Sequence, residues 1–109
     1  MYKLNRKNHF NRKLSKLLKR DPSLAKLVIK ILTSLADNPR EPTLGSHKVI
    51  AKYDGLSAFS ITLTKDLRIL WRYGEVLTSE GTSEEDPGQI QLLDLIDVGP
   101  HSGSNKVYQ

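Results

Sequence analysis

Residues 10–39 read FNRKLSKLLKRDPSLAKLVIKILTSLADNP. Phe10, Leu14, Leu17 and Leu18 recur at i, i+4, i+7 and i+8, the spacing of one apolar stripe on an α-helix from about Lys7 to Arg20. Among the positions between them lie Arg12, Lys13, Lys16, Lys19 and Arg20, so the outer face of this helix reads as almost purely cationic. Asp21 is a plausible N-cap, with Pro22 at the first position of a new helix. Leu24, Leu27, Val28, Ile31 and Leu35 then form a second stripe, which Asn38-Pro39 ends. Two helices so closely joined predict an antiparallel helical hairpin.

Beyond this hairpin the period changes. NPREPTLGS, with two prolines and a glycine, reads as a loop. HKVIAKY predicts a strand, and Asp54-Gly55 is a hairpin turn signal leading into a second strand, LSAFSITLT. LRILWRY predicts a third strand after a turn at Lys65-Asp66, with Trp71 expected in the core. EVLTSEGTSEEDPG is acidic and turn-rich and is expected to form a hairpin tip. QIQLLDLIDV is the last strand, stopping at Gly99-Pro100, and MYKLN can supply a short first one. The expected class is α+β, in the order β-α-α-β-β-β-β, with the helical hairpin on one face of a mainly antiparallel sheet. A chain of 109 residues suits one domain, so residues 1–109 are read as a single unit.

Charge is unevenly distributed. Residues 1–30 hold ten Lys or Arg and one acid, whereas residues 31–109 hold seven basic and eleven acidic side chains. A basic block of this kind favours a polyanion, because each neutralised phosphate releases counterions. The alternative is a solvated helix face that keeps the protein in solution. There is no cysteine, hence no disulfide framework and no thiolate metal site. No apolar run of membrane-spanning length occurs, and no signal-like segment follows the basic N-terminus, so a cytoplasmic protein without a membrane partner is expected. No Walker, dinucleotide-binding, zinc or nucleophile-elbow pattern is present, and no metal or cofactor is expected.

Taken in order, FNRKLSKLLKRDPSLAKLVIKILTSLADNP, HKVIAKYDGLSAFSI, DLRILWRY and LLDLIDVGPH followed by Val107-Tyr108 resemble the RelE/ParE superfamily of bacterial toxins. The likeness is greatest to the RelE-type and YafQ-like mRNA interferases of type II toxin–antitoxin systems, and runs from about Leu4 to Tyr108. It implies a toxin that cleaves mRNA on the ribosome without a metal. In that reaction the 2′-OH attacks the neighbouring phosphate and leaves a 2′,3′-cyclic phosphate. A cognate antitoxin protein is the other implied partner.

Such cleavage needs a base for the 2′ proton, an acid for the leaving 5′-oxygen and cations around the crowded phosphate. Histidine suits the first two roles, since its unperturbed pKa is about 6.5. His101, in VGPH, matches a histidine that the similar nucleases use as acid or base; otherwise it is a tail histidine. Seven positions separate His101 from Tyr108, a longer tail than the family pattern, with SGSN resembling an insertion. Tyr108 is the candidate aromatic for stacking on a base. His47, opening HKVIAKYDG, matches a histidine that YafQ-like members use near the scissile phosphate, or else is a surface residue. Arg68, in DLRILW, is the expected phosphate ligand, or else an ion-pair partner of Asp66 or Asp94. Asp66 is a possible base or a group orienting His47, and equally a plain turn residue. Arg72, four residues beyond Arg68, returns to the same strand face. Arg12, Lys13, Lys16, Lys19 and Arg20 are the expected RNA contacts. His9 reads as a surface residue. Two alternatives stay open: a ParE-like inhibitor of DNA gyrase, and a catalytically inactive RNA-binding homologue.

Overall fold

The computed structural model describes residues 2–50, 57–78 and 89–100. Its elements are β1 (Tyr2–Arg6), α1 (Asn8–Arg20), α2 (Leu24–Asp37), a 3₁₀ turn (Pro42–Leu44), β2 (His47–Ile50), β3 (Ser57–Thr62), β4 (Leu67–Thr78) and β5 (Gln89–Pro100). The strands form one sheet in the order β1-β5-β4-β3-β2. β1 runs parallel to β5, and every other neighbouring pair is antiparallel. The expected α+β class, element order and mainly antiparallel sheet are therefore present.

Both helical stripes face one side of the sheet. Phe10 and Leu14 of α1 and Val28, Leu32 and Leu35 of α2 pack with Ile61, Ile69, Trp71, Leu93, Leu95 and Val98. Trp71, 1% exposed, is in the core as expected. Its ring stacks on Phe59 at 4.7 Å and meets the edge of Tyr73 at 5.1 Å. The other side of the sheet has a smaller cluster in which Val49 and Ile96 pack against Ala58 and Leu70.

Two boundaries depart from the sequence expectation. α2 begins at Leu24, not at Pro22. The Asp21 carboxylate accepts from the backbone N–H and the hydroxyl of Ser23, an Asx turn that places Pro22 ahead of the helix. The helix then starts after Leu24 N–H bonds to the Asp21 carbonyl and Ala25 N–H to that of Pro22, both at 3.1 Å. β4 continues past Tyr73 to Thr78, so Glu75–Thr78 is strand where a hairpin tip was expected. The expected turn at Asp54-Gly55 and the tip beyond Thr78 lie outside the described residues.

The extension of β4 depends on a bulge. Tyr73 pairs with Leu93 and Val76 with Gln91, so Gly74 and Glu75 oppose Leu92 alone. A Cβ on Gly74 would stand 2.6 Å from the Asp94 Oδ1 atom. Only glycine allows the carboxylate to approach the backbone this closely. Gly74→Val is therefore expected to displace Asp94 and destabilise the fold by about 1–3 kcal/mol, the usual range for overpacking. Urea unfolding checks this, and an unchanged midpoint would show that Asp94 moves aside without cost.

Candidate functional site

Side chains on an α-helix repeat at about 100° per residue, so positions i, i+4, i+7 and i+11 fall on one line. His9, Lys13, Lys16 and Arg20 occupy such a line on α1. Together with Leu17 they form one wall of an open groove of about 310 Å³. Val98, Gly99 and Pro100, at the end of β5, form the other wall. Arg12 and Lys19 sit off this line and are exposed. The single outward cationic face expected from the sequence is thus split in two: Lys13, Lys16 and Arg20 face the groove, and Arg12 and Lys19 face solvent.

Lys13 is not a surface cation. Its Nζ lies 2.7 Å from Asp97 Oδ1, and only 17% of its side chain is exposed. His9 Nε2 lies 3.2 Å from the same oxygen. Asp97 itself is 1% exposed. It reaches α1 because of a second irregularity in the sheet. Leu70 pairs with Asp97 but Trp71 with Leu95, so Ile96 is an extra residue on β5. Leu93 and Leu95 face the helices, and the next inward apolar residue is Val98 rather than residue 97. Bulges re-aim side chains in this way. Asp97 Oδ1 also accepts from the Val98 N–H at 2.8 Å, whereas Oδ2 is buried with no hydrogen-bond partner among the described residues. A buried, unsatisfied oxygen costs about 1–3 kcal/mol, which calls for an explanation beyond packing.

His47 and Arg68 lie on the sheet face away from the helices. Residues directly opposite on antiparallel strands share a face. His47 pairs with Ser60 and Arg68 with Thr62, and residues 60 and 62 of β3 are on one face, so β3 alone separates the two candidates. Gly45, at φ +63° in the left-handed region, ends the 3₁₀ turn just before β2. Its carbonyl lies 3.4 Å from His47 Nδ1.

Arg68 forms no ion pair with Asp66 or Asp94. Its Nη1 donates to the carbonyls of Thr64 (2.9 Å), Lys65 (3.1 Å) and Leu67 (3.1 Å), closing the turn between β3 and β4. No partner for its Nε or Nη2 occurs among the described residues. Asp66 is an exposed residue of this turn, and no hydrogen bond or ion pair joins it to His47. Arg72 shares the face of Arg68 but pairs with Asp94, Nε to Oδ2 at 3.6 Å. Asn5 Nδ2 donates to the same carboxylate at 2.8 Å. His101 and Tyr108 lie outside the described residues.

Gly99 joins the two regions. It lines the α1 groove and is the registered partner of Arg68. Sequence reading passed over His9 and Asp97. The available signal was the spacing of Asp94 and Asp97, three apart in a strand, which breaks the alternation and marks a bulge.

A second cavity, of about 410 Å³, lies between residues 39–46 and the ring cluster of Phe59, Trp71 and Tyr73. Hydrogen bonding to the Tyr73 hydroxyl, followed by the charge interactions with Tyr73 and Tyr2, raises the pKa of the Arg40 guanidinium at its rim. Among the described residues no cluster of His, Asp or Glu is arranged to hold a metal, and no helix is long and apolar enough to cross a membrane.

No family model and no curated protein matches this chain. Among solved structures, a YoeB/ParE toxin from Agrobacterium tumefaciens is similar, with a TM-score of 0.64 over 92% of this chain and 99% of that one. Sequence identity is 16%, so the likeness is one of fold. Two helices on one side of a five-stranded mixed sheet, in this strand order, give the chain a RelE/ParE-like fold.

Proposed function

We propose that the protein is the toxin of a type II toxin–antitoxin system and an endoribonuclease that cleaves mRNA on the ribosome. The observation that carries this reading is the position of Gly99. A groove lined by Lys16 and Arg20 ends at a residue paired with Arg68. The groove is on the helix side of the sheet and Arg68 on the other, so an RNA strand that meets all three cations passes around the end of β5. There the guanidinium meets the charge that builds on phosphorus as the 2′-oxygen attacks. His47, on the same sheet face, and His101, next in the chain after Pro100, are the proposed proton-transfer groups from the sequence reading. Asp66 remains a candidate to assist, and Tyr108 to stack on a base. The antitoxin is the proposed protein partner, and the cytoplasm the proposed compartment.

Purified protein incubated with mRNA-programmed ribosomes, without added metal, is expected to yield fragments ending in a 2′,3′-cyclic phosphate. Intact mRNA together with inhibition of gyrase-driven supercoiling would replace this reading with that of a gyrase inhibitor.

A further inference from the structure

We propose that the cavity beside the ring cluster is a binding site for a small aromatic carboxylate, recognised by the donors of Arg40, Ser46 and Trp71. The site is separate from the RNA-cleaving chemistry. Phe59 and Trp71 pack in the core on the helix side of the sheet, whereas Arg68 is on the opposite face. The cavity, of about 410 Å³, has the size of a small-molecule site. Its walls are apolar and fixed. Pro39 and Pro42 form one side. On the other, Phe59 stacks on Trp71 at 4.7 Å and meets Tyr73 edge-on at 5.9 Å.

What the walls lack is an acceptor. Trp71 is 1% exposed, yet its Nε1 has no partner among the described residues, and neither has the buried hydroxyl of Ser46. An indole N–H can only donate, so it cannot be satisfied by the other donors of the wall. Buried donors in folded proteins are nearly always paired, and two orphans lining one cavity indicate a missing acceptor. Arg40 adds a permanent positive charge at the rim. Its guanidinium is hydrogen-bonded to the Tyr73 hydroxyl and forms no ion pair among the described residues. Glu41, the single acid of the lining, already accepts from the backbone N–H and the hydroxyl of Thr43, both at 3.4 Å. Donors without acceptors, one cation and aromatic walls together match a carboxylate carried on a flat apolar ring. The same apolar walls disfavour a phosphate, whose greater charge and hydration need several cations.

Trp71 is the only tryptophan in the chain, so its indole N–H gives a single resonance in a proton–nitrogen correlation spectrum. Titration of the purified protein with phenylacetate is expected to shift that resonance saturably, with a Kd of about 1 mM, ordinary for a one-ring ligand. Phenylacetamide lacks the charge and acetate lacks the ring, and each is expected to bind about 10-fold more weakly or worse. Arg40→Gln is expected to weaken phenylacetate about 10-fold, and Ser46→Ala about 2–10-fold. Both variants should keep the thermal midpoint, since Arg40 is exposed and the Ser46 hydroxyl has no bond to lose. An unmoved indole resonance, equal affinity for phenylacetamide, or unchanged affinity in Arg40→Gln would each overturn the proposal. If N-acetyl-Ala-Ala-Phe binds more tightly than phenylacetate, the carboxylate arrives on the end of a polypeptide, and the assignment to a free acid is overturned. None of these outcomes bears on RNA cleavage, which is assayed separately on ribosomes.

Discussion

Arg68→Ala is expected to lower the rate of the proposed mRNA cleavage by about 10²–10³-fold, the effect of removing one preorganised donor from a charged transition state. The expectation follows from how the guanidinium is divided. Nη1 is used by three carbonyls of the β3–β4 turn, which fixes the plane of the group. Nε and Nη2, without a partner among the described residues, then remain to receive a phosphate in a set direction, with little rotamer entropy left to lose on binding. Arg68→Lys is expected to fail nearly as badly, since one ammonium cannot close the turn and also present a fork. Loss of the turn bonds should lower stability by only about 1 kcal/mol, so the variant remains folded for assay. Single-turnover cleavage on programmed ribosomes measures the effect. A wild-type rate in Arg68→Ala would move the phosphate site away from this sheet face, towards Lys16 and Arg20.

The fold was legible because its determinants are local and periodic. The stripe through Phe10, Leu14 and Leu17 and the alternation through Leu67, Ile69 and Trp71 each match one kind of element and one buried face. The parallel pairing of β1 with β5 was not readable, because it joins Tyr2 to Gln91 across nearly the whole chain and no local pattern encodes it. The end of β4 was misplaced for a related reason. Gly74 reads as a breaker, whereas its lack of a side chain admits the Asp94 carboxylate and lets the strand continue through a bulge.

The site was legible in part. His47 and Arg68 were identified from the resemblance, and the sheet places them on one face. Direction was harder to read than identity. Lys13 resembles its four cationic neighbours in sequence, and only the bulge at Ile96 determines that a buried carboxylate lies beneath it. His9 looked incidental for the same reason: its partner is 88 positions away, in a strand whose irregular register cannot be derived from the residues of α1.

That difference among the basic residues gives the largest expected effect on stability. Lys13→Glu is expected to destabilise the protein by about 3–5 kcal/mol, the cost of leaving a buried charge without its partner. Against a typical total of about 5–15 kcal/mol, such a loss leaves a small domain marginal or unfolded. The new carboxylate would also face Asp97 Oδ1, where the ammonium now sits at 2.7 Å with 17% of its side chain exposed. Lys16→Glu and Arg20→Glu involve exposed side chains and should leave the thermal midpoint nearly unchanged. They should weaken RNA binding instead, and reduce its salt dependence by roughly 0.7 in slope for each phosphate contact removed. Thermal unfolding and a salt titration of RNA affinity on the same three variants separate the two roles. If Lys13→Glu melts with the other two and loses only affinity, Lys13 is a solvated RNA contact and Asp97 has another counterion. If it alone unfolds, the cationic face of α1 has two functions, one residue holding the helix to β5 and its neighbours one and two turns on holding the nucleic acid.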